Sequence, residues 1–225
     1  MNILLVTDPY PPEIRAISVM MQELAEFLYK NGNSITVLAS MPQLKLIDRT
    51  TKADLPKHRV ENGVNVIRAK IPFQNKNGFI FKALSQILSI PVLYKTYKLN
   101  NNETIDIIIV YSPPLPLGII GIIFKKIYGS KFLLNIQDIF PQNAIDLGVI
   151  KNKYIIYIYE LLEGFIYKHA DLISTHTPGC KDYIRVKKHI DENKLITISN
   201  WVDTRKTNAK NKKSTYMEKF SLSNR

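Results

Sequence analysis

The fold of this chain is decided by its first forty residues, Met1–Ser40, which read MNILLVTDPYPPEIRAISVMMQELAEFLYKNGNSITVLAS. The short apolar run Ile3–Thr7 is typical of a strand that is buried on both faces in a parallel sheet. Three of the next five residues are prolines, and these cannot extend the strand because proline fixes φ and lacks an N–H. We therefore predict that the strand ends here, in a stiff loop.

A helix and a second strand follow this loop. Apolar residues recur every three or four positions from Ile17 to Leu28, which predicts an amphipathic helix, and Asn31-Gly32 predicts a left-handed cap at its end. The run Ser34–Ala39 predicts the returning strand. Such a βαβ unit is right-handed, and ligands bind outside the carboxyl ends of its strands. The region thus predicts an α/β fold with a ligand crevice beside the proline loop.

The remaining chain repeats this alternation after a polar connection at 41–61. Strands are predicted at 63–68, 106–110, 131–136, 171–175 and 195–198, and helices at 78–99, 117–128, 151–169 and after Thr177. We expect a kink or a break at Pro91, inside the second helix. The helix at 151–169 carries an apolar stripe of Ile155, Ile158/Tyr159, Leu162 and Ile166. This rhythm is typical of a doubly wound parallel sheet of about seven strands with helices around it.

Composition places the chain among ordinary globular proteins. Of its 225 residues 45% are hydrophobic and 22% charged, which is enough material for one large α/β domain. The formal net charge is +12, but half of it lies in 204–225, where seven Lys and Arg residues face a single Glu. We interpret 1–203 as the folded domain and 204–225 as a basic linker. The charge therefore gives little support to nucleic-acid binding, and we predict no nucleic-acid partner.

Two features bear on location. Met1 leads directly into a core strand without a basic leader or a cleavage site, and the single Cys180 fits a reducing compartment, so we predict a cytoplasmic protein. The uncharged stretch Ile107–Phe124 is nominally long enough to span a membrane, but three prolines in its middle would break a spanning helix. We interpret this stretch as a strand, a loop and a helix.

The basic, aromatic pattern at 78–99 leaves a further possibility open. Such a region can lie on a bilayer surface, or it can be a helix face that packs on the sheet. With the lysines at 117–131, it predicts a peripheral position on the inner face of the plasma membrane.

Four short motifs stand in chain order: Tyr10-Pro11-Pro12-Glu13, NIQDIFP at 135–141, ADLIS at 170–174 and SNWVD at 199–203. Together they resemble the N-terminal, acceptor-side domain of the family-4 retaining glycosyltransferases. More narrowly, they are similar to the bacterial branch that builds O-antigen and capsule repeat units. The resemblance covers essentially the whole chain and implies a Rossmann-like domain that is one half of a GT-B fold. It also implies that a second domain, with the nucleotide-sugar site, would follow Arg225.

The resemblance implies a function as well as a fold. The domain would bind the acceptor, a growing surface glycan linked to polyprenyl diphosphate, while a nucleotide-sugar donor would bind mainly in the second domain. The isolated chain is then expected to be inactive. The alternative is a non-catalytic module that binds a membrane surface or a nucleotide. A dinucleotide site is disfavoured because no G-x-G-x-x-G follows the first strand.

The candidate catalytic residues are Gln137 and Asp138, which follow a predicted strand at the crevice. Many relatives have a histidine near Gln137, so glutamine leaves only hydrogen bonding at this position. Asp138 is the candidate for acceptor contact or for the base. It could instead cap the turn before Pro141, a common structural use of aspartate.

The candidate substrate-binding residues are Pro12, Glu13, Arg15, Ser112 and His176. Many relatives have a glycine pair where this chain has Glu13 to Arg15. Arg15, at the positive end of the first helix, could bind an anion, or it could be a solvated charge. Ser112 could also be a turn hydroxyl, and a lone histidine such as His176 usually has no catalytic role. We predict no metal and no cofactor, because neither the remaining histidines nor Cys180 show metal-ligand spacing.

Overall fold

The computed structural model of the protein describes residues 1–43, 55–101 and 103–203. The predicted basic linker at 204–225 and the segment 44–54 lie outside the described residues.

Eight strands of the described chain form one sheet. They are β1 (Asn2–Thr7), β2 (Ser34–Ser40), β3 (His58–Glu61), β4 (Val64–Ala69), β5 (Ile107–Ser112), β6 (Lys131–Ile136), β7 (Leu172–Thr175) and β8 (Leu195–Thr197). Their order in the sheet is β3-β4-β2-β1-β5-β6-β7-β8, and every pairing is parallel except that of β3 with β4. The chain winds outward in one direction from β1 and in the other from β5. The switch point, where open sheets of this class bind ligands, thus lies between β1 and β5.

Helices cover both faces of the sheet. They are α1 (Ala16–Lys30), α2 (Phe79–Asn100), α3 (Leu117–Tyr128), α4 (Gln142–Asp146), α5 (Lys153–His169) and α6 (Pro178–Lys187), with a 3-10 turn at Glu192–Lys194. On one face α1 packs its residues Met21 and Ala25 against β1, β2 and β4. On the other face α2, α3, α5 and α6 share a single apolar core with the sheet. The predicted doubly wound α/β architecture is confirmed.

Several local predictions are confirmed. Gly32 has φ of 81° immediately after α1, as the predicted left-handed cap requires. The helix predicted after Thr177 is present as α6, and the Thr177 side chain caps it by accepting a hydrogen bond of 3.2 Å from the N–H of Cys180. The uncharged stretch 107–124 divides into β5, a proline loop and α3. Within the described ranges, the helices are too short or too polar for any of them to cross a membrane.

The connection predicted at 41–61 contains a strand at its end, and that prediction was wrong for residues 58–61. Here β3 pairs antiparallel with β4 in a hairpin. Asn62 and Gly63 join the strands with φ of 51° and 84°, the positive values that a two-residue hairpin turn needs. The Asn-Gly pair was therefore a signal that sequence reasoning missed, and the hairpin adds the eighth strand.

Of the kink or break predicted at Pro91, the break is absent, since α2 runs through this position from Phe79 to Asn100. Proline removes the hydrogen bond to the carbonyl four residues earlier, which belongs to Ile87. Both Pro91 and Ile87 are exposed. Water can therefore hydrogen-bond the carbonyl, and the helix need not end.

The face that α5 buries differs in part from the predicted stripe. Ile166 is fully buried, and Tyr159 and Leu162 pack against the core, but Ile158 is 63% exposed, so the apolar stripe does not face the core over its whole width. Glu163, with no exposed surface, takes an inward position instead. Its carboxylate lies 2.7 Å from Nζ of Lys188, just after α6. The partner of a buried charge comes from another element, which helical periodicity cannot reveal.

Candidate functional site

A cleft of about 590 Å³ opens at the carboxyl ends of the central strands. Its walls come from the residues that follow β1, the end of β2, the start of α1, the segment 71–77, the first half of α2, and the loop between β5 and α3. The cleft therefore lies at the switch point of the sheet. This is where the sequence predicted a ligand crevice.

Asp8 places a carboxyl group in the wall of this cleft. The Oγ of Ser40, at the end of β2, donates to that carboxyl and lies 2.8 Å from the backbone oxygen of Asp8. Burial raises the pKa of Asp8 above its ordinary value, although the Ser40 hydrogen bond and the Arg15 charge act in the opposite direction. Sequence reasoning treated Asp8 only as the start of the proline loop. The available signal was its position directly after a buried strand at the switch point.

Arg15 is the predicted substrate-binding residue that lines the cleft. It precedes α1 as its N-cap residue, and its Nε lies 2.8 Å from the carboxylate of Glu13. Glu13 is 5% exposed and also accepts a hydrogen bond of 3.0 Å from the N–H of Gln43. Its burial raises the pKa of this carboxyl. Glu13 thus orients Arg15, while the exposed part of the guanidinium remains available to an anion.

Arg68 connects the proline loop that includes Pro12 to the hairpin of β3 and β4. This residue of β4 is 1% exposed, and its Nη2 donates to the carbonyl of Pro11 at 2.7 Å. The same guanidinium makes hydrogen bonds of 2.7 and 2.9 Å to the carboxylate of Glu61 in β3. Pro12 itself is half-buried beside this contact. Arg68 is a positioning residue that sequence reasoning missed, because its partners are remote in the chain.

The mouth of the cleft is basic on the side of α2. Lys76 and Lys82 line it, and Nζ of Lys76 lies 5.3 Å from the ring centroid of Phe73 and 5.0 Å from that of Phe81. These cation–π contacts hold the Lys76 ammonium at the mouth. With Arg15, the two lysines outnumber the single carboxyl of Asp8. The cleft is therefore suited to a ligand that carries both hydroxyl groups and negative charge.

The candidate catalytic pair lies farther along the same edge of the sheet. The backbone N–H of Gln137 donates to the carbonyl of Ser112 at 2.9 Å, and its side-chain amide donates to Asn135 Oδ1 at 3.0 Å. Asn135 in turn donates to Ser174 Oγ at 2.9 Å. The Gln137 side chain is thus fixed by a chain of hydrogen bonds that runs from β6 to β7.

Asp138 is exposed directly after this chain of hydrogen bonds. Its charge adds to the effect of burial in raising the pKa of Tyr111, which lines the cleft. Helix α4 begins after Pro141 without a side-chain cap, so within the described chain Asp138 does not act as the cap of that helix. Asp138 is thus near enough to the cleft residue Tyr111 for its charge to act there, and its catalytic role stays a prediction.

Ser112 and His176 lie at the same edge of the sheet, where β5 and β7 end. Ser112 is the last residue of β5 and is 2% exposed, so its hydroxyl has little access to solvent. His176 follows β7, and its Nδ1 is buried without a hydrogen-bond partner among the described residues. Neither residue is part of the cleft wall in the described chain.

No three His, Cys, Asp or Glu residues of the described ranges cluster closely enough to hold a metal ion.

Comparison with known proteins identifies the fold and the family. Residues 17–206 match Glycosyltransferase Family 4. Over 133 residues the chain is 28% identical to WbjE of Pseudomonas aeruginosa, described as a probable glycosyltransferase, with 59% of this chain and 33% of that protein covered. The structure resembles part of sucrose-phosphate synthase from Thermosynechococcus elongatus, with a TM-score of 0.67 and 11% identity over 91% of this chain and 49% of that one.

A second similar structure is Anabaena HepE, solved in complex with UDP and glucose. The TM-score is 0.56 and the identity 14%, over 100% of this chain and 51% of that one. The chain therefore spans a third of the curated relative and about half of each solved structure. At these identities the structural matches establish the fold, which is one half of a GT-B arrangement. Since the family match covers most of the residues, the chain belongs to Glycosyltransferase Family 4.

Proposed function

We propose that this chain is the acceptor-binding half of a retaining glycosyltransferase that moves a sugar from a nucleotide-sugar to a growing surface glycan. The single observation that carries the proposal is the cleft at the switch point, where a carboxyl group and three basic side chains meet in a Family 4 domain. Two further observations support it. Anabaena HepE was solved with UDP and glucose, and this chain corresponds to about half of that protein.

The acidic and basic residues of the cleft can bind different groups of the acceptor. The Asp8 carboxyl can hydrogen-bond a sugar hydroxyl, since it projects from the wall and is oriented by Ser40. Arg15, Lys76 and Lys82 can bind phosphate oxygens, and a guanidinium does so through two parallel hydrogen bonds. An acceptor with a sugar and a diphosphate satisfies both sets. We therefore propose a glycan carried on polyprenyl diphosphate.

The transfer itself needs the donor-binding domain. In the proposed reaction the donor carbon meets the acceptor hydroxyl in the space between the two domains, with Gln137 and Asp138 close to it. The bond from the sugar to the nucleotide diphosphate breaks, and the leaving group is stabilised by positive charge and hydrogen-bond donors. Asp138 is suited to accept the proton of the hydroxyl, because it is exposed and close to Tyr111.

A lipid-linked acceptor places the reaction at a membrane. We propose that the protein acts as a peripheral protein on the inner face of the plasma membrane. The basic and aromatic side chains around the start of α2, namely Phe73, Lys76, Phe81 and Lys82, support this location.

The test is transfer from radiolabelled nucleotide-sugars to a polyprenyl-diphosphate-linked acceptor. The isolated chain should give no turnover, and adding a co-expressed donor-binding domain should restore it. In the reconstituted enzyme Arg15→Gln should raise the KM for the acceptor about tenfold, the effect of losing one charge-assisted contact. The matched control is Arg185→Gln, since Arg185 is exposed on α6 away from the cleft. Clear turnover by the isolated chain would contradict the proposal.

A further inference from the structure

The outer face of α5 carries an apolar stripe that packs on no other element of the described chain. The stripe consists of Tyr154, Tyr157, Ile158, Leu161 and Phe165, whose exposed fractions lie between 46% and 68%. Their spacing of three or four residues places them on one face of the helix, over a length of about 16 Å. Scattered exposed apolar residues are normal, but a continuous stripe of this kind marks an interaction site.

The surface around this stripe is positively charged. Helices α2, α3 and α5 lie on the same face of the sheet, and α3 contacts both of the others. Their exposed lysines are Lys82, Lys95, Lys98, Lys126, Lys153 and Lys168, and their one exposed carboxylate is Glu160. The outer surface of the helix layer thus combines apolar and aromatic side chains with a strong excess of positive charge.

We infer that the stripe on α5 docks on the surface of an anionic lipid bilayer. A helix with a lysine near each end and aromatic residues between them suits the boundary between head groups and acyl chains. Lys153 and Lys168 can extend their ammonium groups to lipid phosphates while Tyr157, Ile158 and Leu161 enter the apolar region. A second copy of this chain is a poorer occupant, because a symmetric contact would bring two lysine-rich surfaces together.

This contact orients the cleft relative to the lipid. The N-terminal ends of α2 and α5 follow the carboxyl ends of β4 and β6, so both helices begin at the edge of the sheet where the cleft opens. The exposed Ile80, Leu84 and Ile87 extend the apolar surface along α2. If the proposed function holds, a lipid-linked acceptor could reach the cleft without leaving the bilayer. The docking deepens the membrane location proposed above, and it can be measured without sugar transfer.

The test is co-sedimentation of the full chain with vesicles of phosphatidylglycerol and phosphatidylcholine. Replacement of two stripe residues, Ile158→Gln with Leu161→Gln, should weaken binding at least about tenfold, because both side chains leave the apolar layer. The matched control, Val19→Gln with Phe27→Gln, changes two exposed residues of α1 on the opposite face of the sheet and should change binding less than about twofold. Both variants keep 204–225, so attraction of that segment to the lipid is the same in each.

A second variant keeps the test independent of folding. Lys153→Gln with Lys168→Gln leaves the apolar residues in place and should weaken binding to anionic vesicles and reduce its salt dependence, without a change in the far-ultraviolet circular dichroism. Unchanged binding by both α5 variants would overturn the inference, as would an equal loss in the α1 control. A dimer, detected by light scattering and abolished by the stripe variant while vesicle binding persists, would assign the surface to a second copy instead. No sugar transfer is measured, so this result is separate from the test of transferase activity.

Discussion

Ser40, the last residue of β2, hydrogen-bonds the carboxyl group of Asp8, which follows β1, so residues 32 positions apart form one wall of the cleft. Gln74 donates to the same Ser40 oxygen at 3.1 Å and to the carbonyl of Met41 at 2.8 Å. The carboxyl is therefore held by contacts from two other segments. Such support lets a buried polar group keep one orientation towards a ligand.

The variant Asp8→Asn should stabilise the protein and damage its function. Burial raises the pKa of Asp8, so ionisation at neutral pH costs more in the folded chain than in the unfolded chain, which has the ordinary value of 3.8. The stability from this group is present in full below that value and is lost as the pH rises through the folded pKa. Asparagine removes this loss, so we expect a gain in stability at neutral pH that disappears in acid.

The check is urea unfolding of the wild type and the Asp8→Asn variant at neutral and at acidic pH, together with the KM for the acceptor in the proposed two-domain enzyme. The KM should rise, because asparagine lacks the charge and one of the two acceptor oxygens of the carboxylate. A variant that is less stable at neutral pH would show that the Asp8 carboxylate is stabilising in its ionised form.

The variant Asp138→Asn should lower kcat of the two-domain enzyme about 100-fold, the typical contribution of a general base, and leave the melting temperature unchanged. The control is Asp146→Asn, another exposed aspartate at the end of α4. Measurement of kcat and thermal unfolding on both variants separates the two roles. A loss of several degrees with an unchanged rate would assign Asp138 to the turn before Pro141.

The variant Lys188→Met should destabilise the protein by about 3–5 kcal/mol, because it leaves Glu163 buried without a partner. Burial raises the pKa of Glu163, and Lys188 opposes that rise. The unfavourable effect of the variant should therefore be greatest at neutral pH and should shrink as the pH falls towards 4.5, where Glu163 takes up a proton in the unfolded chain as well.

Two further variants complete this experiment. Glu163→Gln added to Lys188→Met should recover part of the lost stability, since a neutral amide costs less to bury than a charge. Lys187→Met, at an exposed neighbour, should stay within about 0.5 kcal/mol of the wild type. An equal effect of the Lys187 and Lys188 variants on urea unfolding would contradict the importance of the buried pair.

Two glycines on neighbouring helices should respond to alanine in opposite ways. A Cβ at Gly118 of α3 would lie 2.5 Å from Cγ2 of the buried Ile166, so Gly118→Ala should destabilise by about 1–3 kcal/mol. Gly164 of α5 has no atom within 4 Å of such a Cβ, so Gly164→Ala should stabilise by about 0.4–1 kcal/mol. Chemical unfolding of both variants is the measurement. A stabilised Gly118→Ala variant would show that α3 and α5 separate easily, and a destabilised Gly164→Ala variant would show that a Cβ is not accommodated on that face of α5.

The part of the fold that could be predicted from the sequence is the part fixed by local patterns. The first βαβ unit follows from strand runs, prolines and the periodicity of α1, all within forty residues, and the structure confirms each element. The orientation of α5 could not be predicted in this way, because the helix has apolar side chains on more than one face. Its inward face depends on Gly118, which admits Ile166, and on Lys188, which neutralises Glu163.

The candidate site shows the same limit. The sequence correctly placed Arg15 at the start of α1, but its pairing with the buried Glu13 depends on the path of the loop between them. The hydrogen bond between Asp8 and Ser40 joins residues 32 positions apart, so the sequence alone does not show that this carboxyl group is held in the cleft wall. Arg68 lies 57 positions from Pro11, and no local pattern connects an arginine in a strand with a distant proline carbonyl.

The hairpin of β3 and β4 also affects how the protein behaves towards other copies of itself. An exposed strand at the edge of a sheet offers free N–H and C=O groups, on which another chain can add a strand and begin to aggregate. At one edge β3 has only four residues, and its exposed side chains include His58 and Arg59. At the other edge β8 has three residues. Short edge strands are poor templates for strand addition, and β3 also carries charged side chains, so the central parallel strands are protected from intermolecular pairing.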